Sequence, residues 1–163
     1  MGSTSKDMRL IIFCLQVYSL YQLDELHAQC HGVDICELSI LEAQELQLNR
    51  SLDAVQLTEC YLRRIGELNP GLNAVIEINP DALEIAKSLD GFQQRTGALL
   101  GPLHGIPILL KDNIATNDSM ETTAGSIALI GSKPIKEATV VTRLQKAGAI
   151  ILGKSNLSEL AGY

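Results

Sequence analysis

Gly101-Pro102-Leu103-His104-Gly105-Ile106-Pro107-Ile108-Leu109-Leu110-Lys111-Asp112-Asn113 is the stretch that decides the fold. Its glycines and prolines mark a tight loop up to Gly105. Residues 106–110 then form a short apolar run of the kind that makes a buried strand, and Lys111 stands at its end. Burial disfavours the charged form, so a lysine placed there can lose its proton far below its ordinary pKa of about 10.4. A neutral lysine is a competent general base for a hydroxyl nucleophile. The plainer alternative is a structural ion pair with Asp112 or another carboxylate, since such pairs perturb lysines too. Spacing alone favours the ion pair.

Working outward, the sequence alternates helices and strands. Ser39-Ile40-Leu41-Glu42 fits a capping box at the start of a helix. A second helix is predicted over 52–68, with Ala54, Leu57, Tyr61, Ile65 and Leu68 recurring at spacings of three and four on one face. Asn69-Pro70-Gly71 is expected to stop it. Residues 74–78 read as a strand. Asn79-Pro80 is expected to open the next helix, with Asn79 as cap and Pro80 in its first turn, running to about Arg95. After the strand at 106–110 a loop extends to about Pro134. A helix over 138–147 follows, then a strand over 149–152, and Ser158 begins a helix that Tyr163 cuts short. This alternation predicts an α/β layer fold with a mixed sheet flanked by helices. A sheet built from these strands alone keeps an open edge, so the chain reads as the incomplete front of a larger fold.

The 163 residues suffice for one domain with one sizeable core. With 46% hydrophobic and 20% charged residues, the composition is that of a globular chain. A net charge of −6 and the absence of Lys/Arg clusters argue against a nucleic-acid surface. Cys14, Cys30, Cys36 and Cys60 lack zinc-site spacing, so thiols with incidental neighbours His27 and His31 are favoured over a metal cluster. In an exported chain, Cys30–Cys36 or Cys36–Cys60 are disulfides to consider. Residues 1–34 form a separate N-terminal segment ahead of a body at 35–163. Within it, Lys6 and Arg9 precede an apolar run at 10–21. That run is shorter than the ~20 residues of a bilayer span but suits a signal-peptide h-region. Gln16 interrupts the run, and Leu26-His27-Ala28 is not a clean small-x-small cleavage site. An amphipathic helix packed on the body is the other reading, and localisation stays open between them. N-x-S/T sequons at Asn49, Asn117 and Asn156 matter only along a secretory route.

Gly148-Ala149-Ile150-Ile151-Leu152-Gly153-Lys154-Ser155 fits the G-x-x-x-x-G-K-S/T pattern of a phosphate-binding loop. That motif needs a strand before its first glycine and a small or polar loop inside it. Here a helix precedes Gly148, and the intervening residues are strand material. The expected role is a helix–Gly–strand connection, not nucleotide binding.

GPLHGIPILLKDNI closely resembles the lysine-bearing segment of the amidase signature family. Thr122-Thr123-Ala124-Gly125-Ser126 is similar to the loop that follows that lysine. Residues 138–161, ATVVTRLQKAGAIILGKSNLSELA, resemble the helix–strand–turn leading to the family's serine-rich signature, and the helix ending in LNP resembles its usual N-terminal helix. The likeness covers 35–163. It implies amide hydrolysis by a Ser–cis-Ser–Lys triad through an acyl-enzyme, with no metal or organic cofactor and a small-molecule amide as substrate of the full-length form. Only Lys111 maps onto a catalytic position. Ser126, Ser155 and Ser158 fall in other parts of the family pattern and read as structural. No GGSSGG-like segment occurs in the 163 residues, so this chain alone is expected to be inactive. The alternative function is a non-catalytic interaction or regulatory protein derived from the same fold.

Overall fold

The computed structural model describes residues 29–157. The signal-like run at 10–21 and the helix expected from Ser158 lie outside them. A short antiparallel pair, β1 (Gln29–Cys30) and β2 (Val33–Asp34), leads into α1 (Ile40–Leu48). Then come α2 (Ala54–Leu72), β3 (Val75–Ile78), α3 (Ala82–Thr96), β4 (Pro107–Lys111), α4 (Thr139–Lys146) and β5 (Ile150–Ser155). β5 is central in a mixed sheet of order β3-β5-β4, antiparallel to β3 and parallel to β4. The β4–α4–β5 connection is a parallel crossover, in which a helix carries the chain back across the sheet.

Both capping boxes have local causes. At α1, Glu42 N–H donates to Ser39 Oγ at 3.2 Å, and Ser39 N–H donates to the Glu42 carboxylate at 2.9 Å. At α2, Gln56 N–H donates to Asp53 Oδ1 at 2.7 Å, and Asp53 N–H donates to Gln56 Oε1 at 3.0 Å. The α2 N-terminus gains a second anion from α3, because Ala54 and Val55 N–H donate to the two oxygens of Asp90 at 2.9 and 3.0 Å. A carboxylate there satisfies orphan donors and complements the positive end of the helix dipole.

Three boundaries differ from the sequence expectation. α2 runs through Asn69-Pro70-Gly71 to Leu72 and ends on Asn73, whose φ of 49° is left-handed. Asn69 explains the smooth exit, since Ala74 and Val75 N–H donate to its Oδ1 and its Nδ2 donates to Val75 O, joining the helix end to β3. α3 starts at Ala82, not at Pro80. Asn79 is buried and committed to the sheet: its N–H donates to Leu152 O at 3.0 Å and its Nδ2 donates to Ile151 O at 2.7 Å. Its Oδ1 accepts Asp81 N–H, a local turn that delays the helix. β5 extends to Ser155, three residues past the expected end.

The helices pack on the sheet in two layers. Ile65 of α2 and Ala86 and Leu89 of α3 meet Val75, Ile150 and Leu152. Val141 of α4 and Met120 from the β4–α4 loop meet Leu110 and Ile151. A third cluster joins Cys30, Ile35, Leu57, Cys60 and Ile106. Cys30 and Cys60 are disulfide-bonded, neither of the pairings considered from sequence. Tyr61 O–H donates to Ile35 O at 3.0 Å and Arg63 Nη2 donates to Gln29 O at 3.0 Å, so α2 holds the 29–35 segment on both sides of the disulfide. Spacing could not show this pairing, because it depends on how a helix face meets a hairpin.

The sheet depends on one glycine. A Cβ on Gly153 would stand 2.4 Å from Glu77 O of β3. Gly153→Val therefore forces β3 and β5 apart and is expected to cost about 3 kcal/mol or more, as core overpacking does when backbone cannot yield. Urea unfolding checks this, and an unchanged midpoint would contradict it.

Candidate active site

The loop before β4 is fastened to the end of α4. Leu103 N–H donates to Ala147 O, and Gly105 N–H to Gly148 O, both at 2.9 Å. Gly148 has a φ of 94°, and a Cβ there would lie 2.7 Å from His104 Cα. Backbone thus approaches backbone, which explains the glycine. Ile150 N–H then donates to Ile106 O at 2.9 Å and starts the parallel pairing. Lys111 ends the strand in register with Ser155, and Asp112 N–H donates to Ser155 O at 3.1 Å. Lys111 is half-buried at the C-terminal end of β4.

Beyond it the chain turns, with Ile114 N–H donating to Lys111 O at 2.9 Å. Asp112 is buried, and its carboxylate faces the returning loop. It accepts the Thr123 hydroxyl at 2.6 Å and, at 3.4 Å each, the N–H groups of Thr123 and Gly125. Its own carbonyl accepts Ala124 N–H at 3.3 Å. Residues 123–125 are thereby drawn to the strand end that bears Lys111. Ala124 and Gly125 both take left-handed backbone, with φ of 50° and 73°. Ser126 starts a 3-10 turn (Ile127–Leu129), and its N–H donates to Thr123 O at 2.9 Å. Ser155 lies beside Lys111 in the sheet, and Ser158 lies outside the described residues.

His104, in the loop that precedes β4, has no exposed surface. Its Nδ1 accepts Leu100 N–H at 3.1 Å and its ring tilts against Phe92. Burial pushes its pKa below the ordinary value, and the Asp90 carboxylate opposes that only in part. The folded protein therefore prefers the neutral ring. Below the unfolded-chain value of about 6.5, the unfolded state binds a proton that the folded state does not, so this contribution is lost as pH falls. His104→Asn keeps an acceptor for Leu100 but does not titrate. The gap in melting temperature between wild type and this variant is expected to narrow between about pH 7.5 and 5.5. A pH-independent gap would exclude this role.

The phosphate-loop pattern is resolved by burial. Gly148 turns the chain out of α4, residues 150–155 are strand, and Lys154 has no exposed surface. Its Nζ donates to Ile114 O at 2.7 Å and to Thr122 Oγ1 at 3.1 Å. A phosphate cannot reach it. From sequence, Asp112 is an ion-pair candidate for Lys111, and Thr122 and Thr123 belong to a family-like loop; that Asp112 grips Thr123 and Lys154 reaches Thr122 depends on the fold. Cys30, His31 and Cys60 bring their ligand atoms within 4.8 Å of one another, but the two sulfurs are bonded to each other. Among the described residues no helix is long and apolar enough to cross a membrane.

A lysine closes the parallel strand β4 of a mixed sheet, and Asp112 fastens a polar loop to the same strand end. Comparison with known proteins gives the class. The amidase family model matches residues 56–162. The peptide amidase of Stenotrophomonas maltophilia superposes with a TM-score of 0.71 at 50% identity, over 77% of this chain and 26% of that one. An amidase family protein from Bacillus anthracis superposes with a TM-score of 0.74 at 35% identity, over 88% of this chain and 29% of that one. A protein of Arabidopsis thaliana named probable amidase is 50% identical over 115 residues, 70% of this chain and 22% of its own length. The chain belongs to the amidase (amidase-signature) family. It spans about a quarter of the length of these relatives.

Proposed function

We propose that this chain is the N-terminal part of an amide-bond hydrolase acting on small-molecule amides, with Lys111 as the general base of a Ser–cis-Ser–Lys mechanism. The observation that supports this best is the placement of Lys111 at the end of β4, next to Asp112, which holds the returning loop, within a segment similar to known amidases. A backbone held in a strand gives a general base a rigid anchor.

In this reading the Lys111 amine accepts a proton from a bridging serine. That serine takes the proton of the nucleophilic serine, whose oxygen adds to the amide carbon. The C–N bond breaks as the leaving nitrogen takes up the proton, giving ammonia or an amine and an acyl-serine ester. Water then hydrolyses the ester, with the same groups moving the protons. Both serines belong to a Gly/Ser-rich segment, and none occurs within the 163 residues. The reading therefore applies to the protein continued through that segment, while the 163-residue chain alone is expected not to turn over amides.

Mass spectrometry of the continued protein mixed with a simple aryl amide is the test. An adduct of the acyl mass on a serine of that segment, released by hydroxylamine, is the expected result. Hydrolysis with no trappable acyl-enzyme would refute the mechanism, and a folded protein with no hydrolysis at all would refute the activity.

A further inference from the structure

Lys154 is a fully buried ammonium that the proposed reaction does not use. Desolvation lowers its pKa, and the carboxylates of Asp118, Asp112 and Glu77 oppose this. A buried cation is costly unless paired and hydrogen-bonded, so its partners indicate its role. They lie on the two limbs of one loop. Ile114 is on the outgoing limb, where its N–H holds Lys111 O at 2.9 Å while its own carbonyl accepts Lys154 Nζ at 2.7 Å. Thr122 is on the returning limb, its hydroxyl 3.1 Å from the same nitrogen. That limb continues into Thr123 and Gly125, which Asp112 holds. In the sheet, Lys154 pairs with Leu110 and its neighbour Ser155 with Lys111. Lys154 thus starts one residue from the position beside Lys111 and reaches the turn that leaves it.

We propose that Lys154 is a positioning residue for Lys111: its buried ammonium clamps both limbs of the loop at 112–123 and thereby fixes where the Lys111 amine stands. This rests on the reading of Lys111 as the base. Lys154 is not catalytic, since it has no surface that a substrate could touch. A lysine suits this place because its one nitrogen can donate to acceptors on both limbs at once.

Lys154→Met keeps the apolar stem as far as Cε and removes the nitrogen that binds both limbs. In the continued protein, kcat for a simple amide is expected to fall about a hundredfold with KM nearly unchanged, as when a reacting group is misplaced by about an ångström. Thr122→Val, a gentler change that leaves the ammonium in place, is expected to lower kcat several-fold and remains informative if Lys154→Met does not fold. The second readout needs no turnover. Acetylation of Lys111 by acetic anhydride, followed against pH by mass spectrometry, is expected to shift in the variants relative to wild type. Unchanged Lys111 acetylation together with wild-type kcat in a folded variant overturns the inference. If Lys111→Ala keeps full activity, the catalytic reading fails, and Lys111 acetylation alone then decides whether Lys154 positions it.

Discussion

Alanine at Lys111 is expected to lower kcat/KM for a simple amide about ten-thousand-fold in the protein continued through its serine-bearing segment. A general base contributes about 10² to 10⁴ in rate, and the members of a triad act as one unit, so the upper end applies. KM should change little, because the amine acts on a proton and not on substrate binding. Arginine at the same position should not restore the rate, since a guanidinium stays protonated at working pH. If Lys111 is instead one half of a structural ion pair, the pattern inverts, with a lower melting temperature and a nearly unchanged rate. Measuring rate and unfolding on the same preparations separates the two.

The second large effect concerns the Cys30–Cys60 disulfide, which closes a sequence separation of 30 residues. Constraining a loop of that size in the unfolded chain stabilises the fold by about 3 to 4 kcal/mol. Both cysteines are buried, in a cluster with Ile35, Leu57 and Ile106, and Ile106 leads directly into β4. The double variant Cys30→Ala/Cys60→Ala should lose that amount in urea unfolding, and wild type under reductant, which also opens the disulfide of Cys36, should lose at least as much. The chain is thus expected to be most stable when it folds under oxidising conditions. A midpoint indifferent to reductant would mean that the hairpin contributes little to the core.

Much of this architecture was legible in local signals. The capping box at Ser39, the apolar face of α2, the strand ending at Lys111 and the α4–Gly148–β5 connection each follow from side chains within a few residues of one another. What could not be read depends on distant partners. Asn79 looks like a helix cap beside Pro80, yet Ile151 and Leu152, some seventy positions on, draw it into the sheet. Lys154 lies past the expected end of its strand, and its burial follows from a loop whose Thr122 reaches it. The partner of Cys30 depends on the side of α2 that meets the hairpin. The place of Lys111 at a strand end was legible through its segment, whereas the grip of Asp112 on Thr123 became visible only in three dimensions.

The most direct single measurement is ammonia release from a simple primary amide by the continued protein, wild type beside Lys111→Ala, with both shown folded by circular dichroism. Steady release by wild type and none above background by the variant is the predicted result. Equal release by both would contradict the assignment of Lys111 as the base.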